Sequence, residues 1–193
     1  MPIVTIATCT ACFSTDLGWL ALSASLSDDP HDTWANTPGG SPHWRLERLA
    51  FGHRRSSDAR RALGPNDTRL QSDPPGEVRG WMDQLQRYAA GEPVALESIP
   101  VDRDHLTEFG QRVSRLCSAI GYGATLSYGE LAKRAGRPGA ARAVGSVMSG
   151  NRTPLVVPCH RVLGSGGRLG GFSAPQGVAM KRQLLEMEGA RMS

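Results

Sequence analysis

The chain has 193 residues, 39% hydrophobic and 21% charged, with a net charge of +4. That length and composition describe a soluble globular protein of one large or two small domains, and no run approaches the ~20 apolar residues of a membrane span. The four cysteines, Cys9, Cys12, Cys117 and Cys159, are too few and too unevenly placed for a disulfide framework. The opening MPIVTIATCTACF lacks the basic stretch of a signal peptide, so a reducing, cytoplasmic setting is expected.

Residues 3–13 and 17–26 read as two β-strands of a hairpin, and His43 to Gly52 alternates as a third. Between them, residues 27–43 are rich in Pro, Gly and Asp and read as a loop. Residues 53–76 contain almost no large apolar side chains and read as a long exposed loop or insertion. In Glu77 to Ala90, Val78, Trp81, Leu85 and Tyr88 recur at helical spacing and Gly91 follows as a C-cap. Residues 94–101 read as one more strand.

Near residue 102 the composition changes. Residues 1–100 hold 9 Lys+Arg against 12 Asp+Glu, whereas residues 101–193 hold 13 against 6. A basic half beside an acidic one is consistent with a polyanion met by one half only, or with a solvated face. Asp104 is the expected cap of a helix reaching Ile120, with Phe109, Val113, Leu116, Cys117 and Ile120 on one stripe, which makes Cys117 core packing. Ser127 and Glu130 form a capping box for the next helix. Gly136-Arg137-Pro138-Gly139 breaks that helix, and another opens at Ala140 with Val144, Val147 and Met148 on its apolar face. Two short helices across a four-residue turn make a helix-turn-helix, or an ordinary helical hairpin. The second carries one basic residue, Arg142, among Ala141, Ala143 and Gly145, small residues that let a helix approach a surface closely.

An apolar run, Pro154 to Val157, leads into Pro158-Cys159-His160-Arg161-Val162. A thiol beside an imidazole is a candidate nucleophile, because the thiolate is the reactive form; the alternative is a buried cysteine at the end of a packed strand. Residues 163–173 hold five glycines but no phosphate-loop spacing, so they read as a flexible wall around a ligand. The last helix, Gln176 to Glu188, places Val178, Lys181, Leu184, Leu185 and Glu188 on one broad face. There Glu188 can orient a histidine or simply snorkel to solvent.

Together, Ser127-Tyr128, Ala141-Arg142-Ala143-Val144-Gly145 and Pro158-Cys159-His160-Arg161-Val162 resemble the O6-alkylguanine-DNA alkyltransferases, the methylated-DNA–protein-cysteine methyltransferase family. The resemblance runs from about Phe109 to Phe172 and resumes at Lys181 to Gly189. It implies an α/β fold: a small N-terminal ribonuclease-H-like domain over 1–102 and a helical C-terminal domain with a helix-turn-helix over 103–193. It also implies a single-turnover repair protein, with no cofactor, acting as a monomer on double-stranded DNA that carries alkylated bases.

Under this resemblance Cys159 is the alkyl acceptor, His160 takes its proton through a water, Glu188 orients the imidazole and Asn151 braces the Cys159 segment. Tyr128 turns the nucleotide out and donates to guanine N3, while Arg142 fills the gap, with Ala141, Ala143 and Gly145 against the DNA. Ser173, Val162 and Lys181 belong to the substrate pocket. A guanine O6 inside a stacked duplex is out of reach, which is why the nucleotide must leave the stack. The chain departs from zinc-binding relatives: Cys9-x-x-Cys12 within a strand is a poor metal clip, and no metal is assigned. The alternatives are a module that binds alkylated DNA without repairing it, a redox-sensing regulator and a Cys-His hydrolase.

Overall fold

A computed structural model describes residues 7–27, 43–65 and 73–190. The loop expected at 27–43 therefore lies almost wholly outside the described residues, as do the first four residues of the first strand. β1 (Thr8–Thr15), β2 (Gly18–Ser27) and β3 (His43–His53) form an antiparallel sheet in that order. The β1–β2 turn closes at Gly18, whose φ is +97° and where a Cβ would stand 2.7 Å from His53 O, so only glycine fits.

β2 is buried on both faces. Leu20, Leu22 and Ala24 join Val78, Trp81, Leu85 and Tyr88 of α2 (Gly76–Ala89) in the main core. On the other face Ala21 and Ala50 pack on Ala59 and Leu63 of α1 (Ser56–Leu63). The expected loop at 53–76 is thus corrected over Ser56–Leu63, where two apolar side chains one helical turn apart are enough to seat a helix on the sheet, while residues 66–72 lie outside the described residues. The expected strand at 94–101 is also corrected. Residues Leu96–Ser98 form a 3-10 turn, and pairing shrinks to one parallel bridge between Leu46 and Val101. Pro100 has no N–H to extend the ladder; its carbonyl accepts from Leu46 N at 2.8 Å.

α3 spans Glu108–Ser118 and is capped by Thr107, whose Oγ1 accepts from Gly110 N at 3.2 Å. Asp104 is not the cap, since it pairs with Arg45 at 3.1 Å outside the helix. Val113, Cys117 and Ile120 are buried as expected. β4 (Leu126–Ser127) runs parallel to β5 (Val162–Leu163) and leads into α4 (Tyr128–Arg134), where both arms of the Ser127–Glu130 capping box are present. A turn through 135–140 leads to α5 (Ala141–Ser149), which packs on α4 and α3.

α6 spans Val178–Met187 and starts after Gly177, at φ +55°. Lys181, Leu184, Leu185 and Glu188 are buried, but Val178 is 40% exposed and does not share their face. One continuous core runs from β1 to α6, so the two halves of the chain are joined by packing as well as by sequence. No described helix is long and apolar enough to cross a membrane.

Candidate active site

The segment before Cys159 is a turn rather than a strand. Leu155 takes a left-handed conformation (φ +71°), the one described non-glycine residue that does so. Such a backbone is costly and needs surrounding structure to hold it. Here Val157 N donates to Thr153 O at 2.9 Å, and Asn151 Nδ2 donates to Val157 O at 2.8 Å. The same Asn151 amide reaches Cys159 Sγ at 3.3 Å, and its Oδ1 accepts from Thr153 N at 3.1 Å. One side chain therefore braces the turn and donates to the sulfur.

Cys159 opens a 3-10 turn, Cys159–Arg161, that directs successive side chains apart. Its sulfur borders two cavities, while His160 and Arg161 point into the core. His160 Nε2 lies 2.9 Å from Glu188 Oε1. Arg161 Nε donates to Glu188 Oε2 at 2.9 Å and its Nη2 to Oε1 at 2.8 Å. The Tyr88 hydroxyl, from α2, donates to Glu188 Oε1 at 2.5 Å. Gly123 N completes the set at 3.2 Å from Oε2. Glu188 is thus a buried carboxylate held by four residues. His160 Nδ1 is buried with no hydrogen-bond partner among the described residues.

These contacts set the charge states. Burial alone would raise the Glu188 carboxyl, but the His160 and Arg161 hydrogen bonds outweigh it and hold the pKa at about 2. Burial lowers His160, only partly opposed by Glu188, so the imidazole is neutral near pH 7. With Nε2–H donated to the carboxylate, Nδ1 carries the free lone pair. Burial raises the Cys159 thiol, with the Asn151 hydrogen bond and Lys181 working the other way. The resting pair is therefore thiol and neutral imidazole, and a base is needed to make the thiolate.

Tyr128 is the first residue of α4, half-buried, and burial raises its phenol so that it remains a donor. It borders a 330 Å³ cavity together with Gly145, Ser149, Cys159, Gly171 and Ser173. Gly170 approaches the phenol closely, since a Cβ there would lie 3.4 Å from Tyr128 Oη. Arg142 and Ala143 are exposed on α5, Ala141 half-exposed.

Lys181 and Val162 line neither cavity. Val162 is fully buried, and its carbonyl accepts from Lys181 Nζ at 2.7 Å. Lys181 Nζ lies 6.0 Å from the Tyr128 ring centre, where it backs the phenol. Three residues that hold Glu188 have no part assigned from the sequence, Tyr88, Arg161 and Gly123. Arg161 stands inside the motif that carries Cys159, whereas Tyr88 shows only as the last apolar position of α2.

A family model described as the 6-O-methylguanine DNA methyltransferase DNA-binding domain matches residues 108–190. The methylated-DNA–protein-cysteine methyltransferase of Mycobacterium tuberculosis H37Rv is 45% identical over 128 residues, 66% of this chain and 74% of the relative. The Homo sapiens protein of the same name is 41% identical over 130 residues, 61% and 62% of the two chains. The crystal structure of M. tuberculosis OGT in complex with DNA aligns over 93% of this chain and 92% of its own, with TM-score 0.65 and 34% identity. The chain belongs to the methylated-DNA–protein-cysteine methyltransferase family.

Proposed function

We propose that the protein repairs duplex DNA by moving the alkyl group of an O6-alkylguanine onto its own Cys159, once per molecule. The observation that carries this reading is the Cys159 sulfur at the wall of a base-sized cavity, followed in sequence by a histidine whose Nε2 lies 2.9 Å from a buried carboxylate.

The nucleotide leaves the stack and enters the 330 Å³ cavity between Tyr128 and the glycine-rich 170–173 wall. His160 Nδ1 takes the Cys159 proton through one water, and Glu188 stabilises the imidazolium that forms. The thiolate attacks the alkyl carbon. The S–C bond forms as the C–O6 bond breaks, and the bonding pair leaves on the purine. Tyr128 donates a hydrogen bond at guanine N3, which offsets the negative charge of the leaving base. Asn151 holds the sulfur in line. Arg142, exposed on α5, fills the space the nucleotide vacates, with Ala141, Ala143 and Gly145 against the minor groove. Ser173 closes over the base, and Lys181 and Val162 support the pocket from behind.

In this reading β1–β3 and α2 belong to a ribonuclease-H-like domain over residues 1–102. α4 and α5 are the helix-turn-helix of a second domain over 103–193, and the protein works as a cytoplasmic monomer. A module that binds lesions without repairing them has no use for an acceptor thiol, and Cys159 is present with its base. Intact-mass analysis after incubation with O6-methylguanine duplex tests the proposal: a gain of about 14 Da on the Cys159 peptide is expected. An unmodified Cys159 with the lesion still on the DNA would overturn it and favour the binding module.

A further inference from the structure

The first hundred residues are acidic overall, but the charge is unevenly spread. Residues 43–65 hold six arginines against two carboxylates, while the rest of residues 1–100 holds three against ten. That basic segment is β3, α1 and the turn between them, and it is the part of the N-terminal half fastened to the mouth of the Cys159 site. Leu49 N donates to Arg152 O at 2.8 Å. Gln176 Nε2 donates to Gly52 O at 2.6 Å. Phe51 meets Phe172 edge to face, with ring centres 6.1 Å apart.

The sulfur of Cys159 stands between two hollows. One is the cavity bordered by Tyr128 and Gly145. The other, 350 Å³, opens toward β3 and α1 and is bordered by Arg48, His53 and Arg152. Arg48 and Arg152 also share a neighbourhood, since both add to burial in depressing the His105 imidazole. Arg54 and Arg55 continue directly from His53, are exposed, and form no ion pair with a carboxylate among the described residues. Clustered like charges left without counter-charges repel one another, and a phosphodiester backbone is a dense array of the missing sign.

We propose that the β3–α1 arginines, Arg54 and Arg55 foremost, form a second phosphate-binding strip that grips the duplex on the far side of the Cys159 mouth from α4 and α5. The strip rests on duplex DNA being the substrate. The lesion then enters between two basic grips, α5 with Arg142 on one flank and the β3–α1 turn on the other. A polyanion held at both flanks resists the recoil of the stack while the nucleotide is out.

The test is the salt dependence of binding to an O6-methylguanine duplex by wild type, Arg54→Ala/Arg55→Ala and Arg54→Lys/Arg55→Lys. Each phosphate contact contributes about 0.9 to the log–log slope, so the alanine pair should flatten it by about 2 and the lysine pair should leave it unchanged. Reaction with the free base O6-benzylguanine should stay within about twofold of wild type for both pairs, because no backbone is present to grip. An unchanged slope in the alanine pair would overturn the strip. So would a lysine pair that binds as poorly as the alanine pair, or a free-base rate that falls in step with duplex affinity. A wild-type protein with no affinity for the duplex would sink the parent reading instead, before the variants are compared.

Discussion

The Tyr88 hydroxyl lies 2.5 Å from Glu188 Oε1 and 3.3 Å from His160 Nε2, joining a helix of the N-terminal half to a carboxylate 100 residues further on. Tyr88 is fully buried, so this contact has no water to replace it. The N-terminal sheet and its helix therefore do more than cover the C-terminal half: they supply one donor to the carboxylate that sets the histidine.

Tyr88→Phe removes that donor and leaves the ring in place. A hydrogen bond to a buried charged group contributes about 1.5–3 kcal/mol, so denaturant unfolding should show a loss of about 2 kcal/mol. The Glu188 charge, less satisfied by Tyr88, should favour the imidazolium more strongly. The acid limb of the transfer rate should then move to higher pH. A loss of stability with an unmoved pH profile would make Tyr88 a packing residue only.

Burial lowers the His160 pKa, so the base form persists into mild acid. Single-turnover reaction with O6-benzylguanine should fall off on the acid side only below the ordinary imidazole value near 6.5. A midpoint at or above that value would mean the proton goes elsewhere.

Glu188 titrates at about 2 in the folded protein, against an ordinary 4.5. A depressed carboxyl contributes stability that is complete above its unfolded pKa and lost as pH falls through its folded one. The shift corresponds to roughly 3 kcal/mol, fully present above pH 4.5 and lost toward pH 2. Unfolding of wild type and Glu188→Gln should differ most at neutral pH, and the gap should narrow between about pH 4.5 and 2. A gap independent of pH would show that the loss in Glu188→Gln is steric.

Arg142→Ala should weaken repair in duplex far more than reaction with the free base. In the proposed role the side chain matters only while a stack is held open, a cost of a few kcal/mol. Equal loss on both substrates would place Arg142 in the chemistry or in the fold.

Much of the C-terminal half is readable because its signals are local. The Ser127–Glu130 box, the 136–139 break and the Cys159-His160 pair each sit within a few residues, and Glu188 is legible as the buried end of an amphipathic helix. What escapes the sequence depends on distant partners. Tyr88 carries the spacing of core packing, and only the fold brings α6 to its hydroxyl. Four arginines, two just before α1 and two within it, surround Ala59 and Leu63, so the segment looks like a solvated loop until β2 presents Ala21. Asp104 is as good a cap by type as Thr107, but Arg45 of β3 engages it first. Residues 94–101 have strand-like side chains, yet Pro100 removes a donor that a ladder would need.

The central claim is that Cys159 keeps the group it removes. A thioether offers no carbonyl for water to attack, so no second step returns the thiol. The most direct test mixes the protein with about a tenfold excess of O6-methylguanine duplex and counts lesions removed against moles of protein. The account predicts a slope of about one, with Cys159→Ala removing none. A slope clearly above one would contradict it, because the sulfur would then be a turnover catalyst and not an acceptor.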